Sequence, residues 1–349
     1  MTICFAQKNN KTKEKIVMPA FSLPALDGKI YTNENFKDVK NIGVVFLSNH
    51  CRISQKFQKA LIEIKKRAKG SENDFFVISP NHPQSILPHE EAYSDLGDSF
   101  EEMNKRAIGE KYNFTFLFDG ENQSVTQAFG ASITPSAYVF GPSRAQIYAG
   151  RIGNHEKAAD IEALEFYQYL FYGEEREDTR ITRSFGSVIK WKSRKALLEK
   201  TIRNYSKETV FVRKVDGKTL RFLTTKGVGR LKIYFAWSIK DKNCVDNLQK
   251  ISHISKIYRK RGVSVGTIHV GTEEEKDAVE EILSRAQISG INYMINGNEF
   301  NILNIGYKSS TDIITPSSLI LSQEGKPVEE IKGDVNIYDL RKKIINELN

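Results

Sequence analysis

Short apolar runs alternating with stretches of helical period set the rhythm of this chain. Residues 42–47 are wholly apolar and too short for a helix, which predicts a strand covered on both faces. A polar turn ending in Cys51 follows. Ile53, Phe57, Leu61 and Ile64 then recur on one helical face, and residues 75–79 predict a second strand. The order returns later in the chain. Residues 231–237 predict a strand, a polar turn ends in Cys244, and Leu248, Ile251, Ile254 and Tyr258 mark a helix before the run 263–270. A strand–helix–strand unit with this crossover length implies parallel pairing and a right-handed connection.

The repeat extends in both directions. Asp27-Gly28-Lys29 precedes the first strand and Asp216-Gly217-Lys218 the second, and each reads as a turn between extended segments. Downstream, Ile133-Thr134-Pro135-Ser136 leads into the run 137–140, and Ile314-Thr315-Pro316-Ser317 into 318–321. Both then pass through a turn, 141–144 or 323–326, to a further strand and a glycine, Gly150 or Gly333. Proline is tolerated at the first residue of a strand, which suits both Thr-Pro positions. The Thr-Pro elements are spaced more closely than the two cysteines by about one helix, and the extra helical pattern at 100–111 in the first copy accounts for it. The expected architecture is α/β, duplicated. A tail covers 1–16, a first domain 17–155, a connector with helical and extended parts 156–205, and a second domain 206–349.

Composition narrows the chemistry. Apolar residues are 40% and charged residues 27% of the 349 residues, ordinary for a chain that buries a core. The net charge of +9 is spread over short runs at 11–15, 65–69, 190–195 and 259–261, several on the solvent faces of expected helices, so nucleic acid is not expected as a partner. No apolar run is long enough to span a membrane. Cys4, Cys51 and Cys244 lie far apart and no CxxC occurs, so neither a disulfide framework nor a cysteine metal site is expected, and no cofactor motif is present. Residues 3–7 before a polar run read as a disordered tail. The protein is expected to be cytoplasmic as the sequence stands, and secreted or periplasmic if a signal peptide precedes Met1.

The order of strand, cysteine-bearing turn at a helix start, strand, helix, Thr-Pro and two further strands resembles the thioredoxin superfamily, in which the Thr-Pro bond is usually cis and the proline packs beside the turn. The opening at 21–29, the turn Ser48-Asn49-His50-Cys51, the stretches 98–103 and 150–154, and Phe185-Gly186-Ser187-Val188-Ile189-Lys190-Trp191 resemble a bacterial peroxiredoxin-like subfamily. That subfamily carries Cys-Asn-His-Cys at the turn and Phe-Gly-Cys-Ser-Ile-Lys-Trp in its tail. The second copy resembles thioredoxin-like thiol reductases. Trp237 stands where their signature begins, Cys244 on its second cysteine and Asp241 on its first. The resemblance implies two tandem thioredoxin-like folds. It also implies that Thr134-Pro135 and Thr315-Pro316 mark where a thiol or peptide substrate docks.

The chemistry expected of such a family is incomplete here. Disulfide exchange needs an attacking thiolate and a second thiol to resolve the mixed disulfide. Ser48 and Ser187 replace two cysteines in the first copy, and Asp241 replaces one in the second. Two readings of Cys51 stay open. Peroxiredoxins carry Thr-x-x-Cys, and Ser48 with Cys51 supplies hydroxyl and thiol at that spacing. Cys51 would then be a monothiol peroxide or disulfide reductase centre relying on an external thiol, with the helix start, His50 and Arg52 favouring its thiolate. However, the proline that peroxiredoxins place seven residues earlier is Val44. The alternative is that Cys51 is a small buried hydrophobe in a pseudo-redoxin that binds peptides or serves as a scaffold. Cys244 fits the second description better.

Overall fold

In a computed structural model the described residues are 15–226, 230–297 and 317–348. Along the chain lie β1 (Ser22–Pro24), β2 (Ile30–Thr32), β3 (Ile42–Phe46), α1 (Arg52–Ala68), β4 (Asp74–Ser79), α2 (Phe100–Gly109), β5 (Thr115–Phe118) and α3 (Ser124–Ala128). These are followed by β6 (Ile133–Thr134), β7 (Ser136–Phe140), β8 (Gln146–Gly150), α4 (Glu165–Tyr172), β9 (Arg180–Ile181) and β10 (Ser187–Val188). The remainder comprises α5 (Lys195–Tyr205), β11 (Val212–Lys214), α6 (Gly217–Lys226), β12 (Leu231–Trp237), α7 (Lys242–Tyr258), β13 (Val263–Val270), α8 (Lys276–Arg285), β14 (Ile291–Ile295), β15 (Ser317–Ser322), β16 (Pro327–Lys332) and α9 (Ile337–Leu348).

The chain divides into two compact units, Met1–Asn81 with Ala107–Ile189, and His82–Arg106 with Lys190–Asn349. The residues expected to form a connector are thus shared out, 156–189 to the first unit and 190–205 to the second.

The first unit is built on a six-stranded sheet in the order β5-β4-β3-β7-β8-β9. β3 runs parallel to β4 and β4 to β5, whereas β7 is antiparallel to β3, and β8 to β7. β3 takes the centre because every one of its side chains is buried, as a strand covered on both faces requires. Gly43 allows the close packing on one face. A Cβ there would lie 2.7 Å from the Phe166 ring of α4 and 2.9 Å from Phe75. On α1, Phe57, Leu61 and Ile64 are buried while Lys56 and Lys59 face solvent. The Asp27-Gly28 turn joins β1 to β2, with Gly28 at φ +80°.

The second unit repeats the plan in the order β11-β14-β13-β12-β15-β16. β12, β13, β14 and β11 are mutually parallel, and β15 and β16 reverse direction. Its core joins Trp237 and Cys244 to Leu248, Ile251 and Ile254 of α7 and to Leu340 and Ile344 of α9.

One element differs from expectation. Asp216-Gly217-Lys218 does not turn between strands; it starts α6. The Asp216 carboxylate accepts the Thr219 N–H at 2.6 Å, which satisfies a donor that the first helical turn leaves open. Among the described residues no helix is long and apolar enough to cross a membrane, and no group of three or more His, Cys, Asp or Glu side chains is arranged to hold a metal ion.

Candidate functional site

Strand β3 delivers the chain to a polar turn, and α1 begins on its far side. In open α/β sheets ligands meet the carboxyl ends of strands at such places. Ser48, Asn49, His50 and Cys51 all lie there, each at most 3% exposed. Cys51 is the residue immediately before α1, in extended conformation (φ −85°, ψ 113°), and it makes no side-chain capping bond to the helix.

The Thr134-Pro135 peptide bond is cis, and Thr134 lies against the turn. The Cys51 thiol donates to the Thr134 carbonyl oxygen at 3.1 Å. Ser48 Oγ is 2.7 Å from Thr134 Oγ1, and the Ser48 N–H reaches Ser54 Oγ at 3.4 Å. Thr134 Oγ1 in turn donates to the Ser187 carbonyl over a long 3.5 Å. Either hydroxyl can donate in the short contact between Ser48 and Thr134.

The Cys51 sulfur is thus placed to donate to the Thr134 carbonyl. The Ser48 hydroxyl, which the peroxidatic reading requires for orienting a peroxide, is already used on Thr134. Arg52 is exposed at the first helical position, and His50 Nδ1 lies 3.4 Å from Asn81 Nδ2.

In the second unit Asp241 immediately precedes α7, and its carboxylate accepts the Asn243 N–H at 2.9 Å. The carboxylate therefore works as a helix cap. Cys244 is fully buried in the apolar core beside Trp237 and Leu248. Both Cys51 and Cys244 are free thiols. Thr315 and Pro316 lie outside the described residues, as does Cys4.

Sequence reasoning did not place residues 185–189 here. β10 pairs antiparallel with β6, so that Ser187 stands opposite Thr134 and Val188 opposite Ile133. The available signal was Gly186, a residue without a side chain inside an otherwise bulky string.

No family model matches the chain, and no curated protein matches it. Solved structures do. A hypothetical protein from Sinorhizobium meliloti is 26% identical over 51% of this chain and 94% of its own length, with a TM-score of 0.43. An uncharacterized conserved protein from Geobacillus kaustophilus is 26% identical over 52% and 94%, with a TM-score of 0.42. A thiol-disulfide oxidoreductase from Bacteroides fragilis is 14% identical over 43% and 100%, with a TM-score of 0.32.

The fold of both units is thioredoxin-like. Strand order carries that statement: a central strand parallel to the strand that follows its helix, then two antiparallel strands on the other side. In the first unit the cysteine at the start of α1 and the cis proline meet across the Thr134 carbonyl.

Proposed function

We propose that this protein is a redox-silent redoxin, a thioredoxin-like fold kept as a peptide-binding or scaffolding module. The observation that carries this reading is the state of Cys51. The residue is 1% exposed and its thiol donates to the Thr134 carbonyl, with the neighbouring Ser48 hydroxyl engaged on the same residue. A reactive cysteine needs an accessible, electropositive setting, whereas a buried one behaves as a small hydrophobe. Asp241 as a helix cap and Cys244 in the core support the same description of the second unit. Extended peptides, which add as strands to exposed sheet edges, are the class of partner that suits such a module. No external thiol reductant is then required.

One feature favours the enzymatic alternative: Cys51 sits where the first N–H groups of a 17-residue helix favour negative charge. Two measurements separate the readings. Iodoacetamide followed by peptide mapping should label Cys51 on the order of a hundredfold more slowly in native than in urea-unfolded protein. Hydrogen peroxide consumption with dithiothreitol as external thiol should be equal for wild type and Cys51→Ser. Prompt native labelling, with peroxide turnover that Cys51→Ser abolishes, would establish the monothiol enzyme instead.

A further inference from the structure

The edge of the first unit at Thr134 already carries a strand, and that strand belongs to the chain itself. Beyond the two residue pairs of β6 and β10, the Ile189 N–H donates to the Ser132 carbonyl at 2.9 Å. Gly186 makes the closest approach. A Cβ built on it would fall 2.0 Å from the Thr134 carbonyl oxygen and 3.0 Å from Pro135 Cδ, and its φ of +152° already disfavours any side chain. The same carbonyl oxygen receives the Cys51 thiol, so Gly186 and Cys51 converge on a single atom.

The segment is fitted closely but held lightly. Phe185 is 51% and Val188 60% exposed, and only Ile189 is fully buried. A strand of two residues with few buried apolar contacts belongs to the low end of local stability, where opening precedes global unfolding.

We propose that residues 185–189 are a tethered ligand of the Thr134 edge, holding the place of an external extended peptide that must displace them to bind. The segment defines the chemistry of the partner. It would run antiparallel to β6, with glycine where its backbone meets the Thr134 carbonyl, a small residue opposite Thr134, a β-branched residue opposite Ile133 and a large apolar residue next to be buried. The tether gives the resident strand an effective concentration in the millimolar range, so a free peptide competes only when the resident strand is weakened. Displacement also clears the approach to the Thr134 carbonyl and to Cys51 behind it. This inference rests on the binding-module reading of the same site.

Two opposite perturbations test it. Gly186→Val forces the segment off the edge. Ile133→Cys with Val188→Cys places a disulfide across a directly paired position, where antiparallel Cα atoms lie within bridging range, about 4.5–5.5 Å. The probe is a fluorescein-labelled peptide of residues 182–189, followed by anisotropy, together with the native-state alkylation rate of Cys51 read by peptide mapping. Gly186→Val should bind the peptide, which wild type does not, and should alkylate Cys51 about tenfold faster or more. The oxidised cysteine pair should bind no peptide and alkylate Cys51 more slowly than its own reduced form.

The proposal is overturned if Gly186→Val, shown by hydrogen exchange to have released 185–189, binds no peptide. It is equally overturned if the oxidised and reduced pair alkylate Cys51 at one rate. The pair is compared with itself, so it decides the matter even if Gly186→Val does not fold. Peroxide turnover lost in Cys51→Ser would overturn the redox-silent reading and leave both of these readouts standing, because neither involves oxidation of Cys51.

Discussion

The second unit is expected to lose on the order of 5 kcal/mol of folding stability as the pH falls from about 6.5 to about 4. Two histidines cause the loss. Burial pushes His253 of α7 down to about 4, with the Arg341 guanidinium adding repulsion. Burial likewise lowers His269 of β13 to about 4, against the opposing pull of the Glu275 carboxylate 3.6 Å away. His269 Nε2 lies 3.4 Å from the Ile239 N–H, which donates to it.

In the unfolded chain both imidazoles titrate near 6.5, so between that pH and about 4 the unfolded state takes up protons that the folded state refuses. The contribution of the two rings is complete above pH 6.5, drains through this window and levels off below about 4, at roughly 2–3 kcal/mol for each ring. The readout is favourable. The two tryptophans of the chain, Trp191 and Trp237, both belong to the second unit, and the Trp237 ring lies 5.0 Å from that of His269. Urea unfolding followed by tryptophan fluorescence should give a much lower midpoint at pH 4.5 than at pH 7.5. His253→Gln with His269→Gln should remove most of that difference. A midpoint gap as large in the double variant as in wild type would mean that other groups carry the acid response.

Arg341→Met should destabilise the same unit by about 3 kcal/mol at neutral pH. Arg341 is 2% exposed on α9. Its guanidinium lies 3.1 Å from the Glu91 carboxylate and 3.9 Å from that of Glu102, and it donates to the Ser94 carbonyl at 2.9 Å. Methionine keeps most of the aliphatic bulk, so the loss isolates the charge. Glu91, whose side chain is only 16% exposed, loses the Arg341 cation, and the Ser94 carbonyl loses a donor.

Adding Glu91→Gln should recover a substantial part, because the cost is the loss of the Arg341 cation beside a mostly buried carboxylate rather than a cavity. Arg341→Met also removes the repulsion acting on His253, so the acid-induced drop should become smaller in this variant than in wild type. Fluorescence-monitored urea curves at both pH values test the two expectations together. An additive double variant would argue that the ion pair contributes nothing.

The secondary structure of both units was legible in the sequence because it follows from local pattern. Strands β3, β12 and β13 are short apolar runs with turn residues at their ends, and α1 and α7 repeat apolar residues at helical spacing. The two Asp-Gly elements show the limit of such signals. Asp27-Gly28 closes a hairpin, yet Asp216-Gly217 opens a helix, because aspartate serves a turn and a helix start equally well and the following residues decide between them.

In the first unit the meeting of the cysteine turn with Thr134-Pro135 was legible as well, since each motif has a fixed place in a thioredoxin-like sheet. What the sequence left open was whether Cys51 is exposed. Spacing places Ser48 and Cys51 on one turn, but burial depends on what packs over that turn. Ser187 faces Thr134 across 53 residues of chain, and that pairing is visible only once β6 and β10 lie side by side. The buried histidines carry the same lesson. His253 and His269 look ordinary in sequence, and only the desolvation of their rings separates them from surface residues. Local pattern therefore determined the elements and their order. The burial of Cys51, the pairing of β10 with β6 and the desolvation of the two histidines were decided by tertiary packing, because each depends on which distant groups exclude water from a given atom.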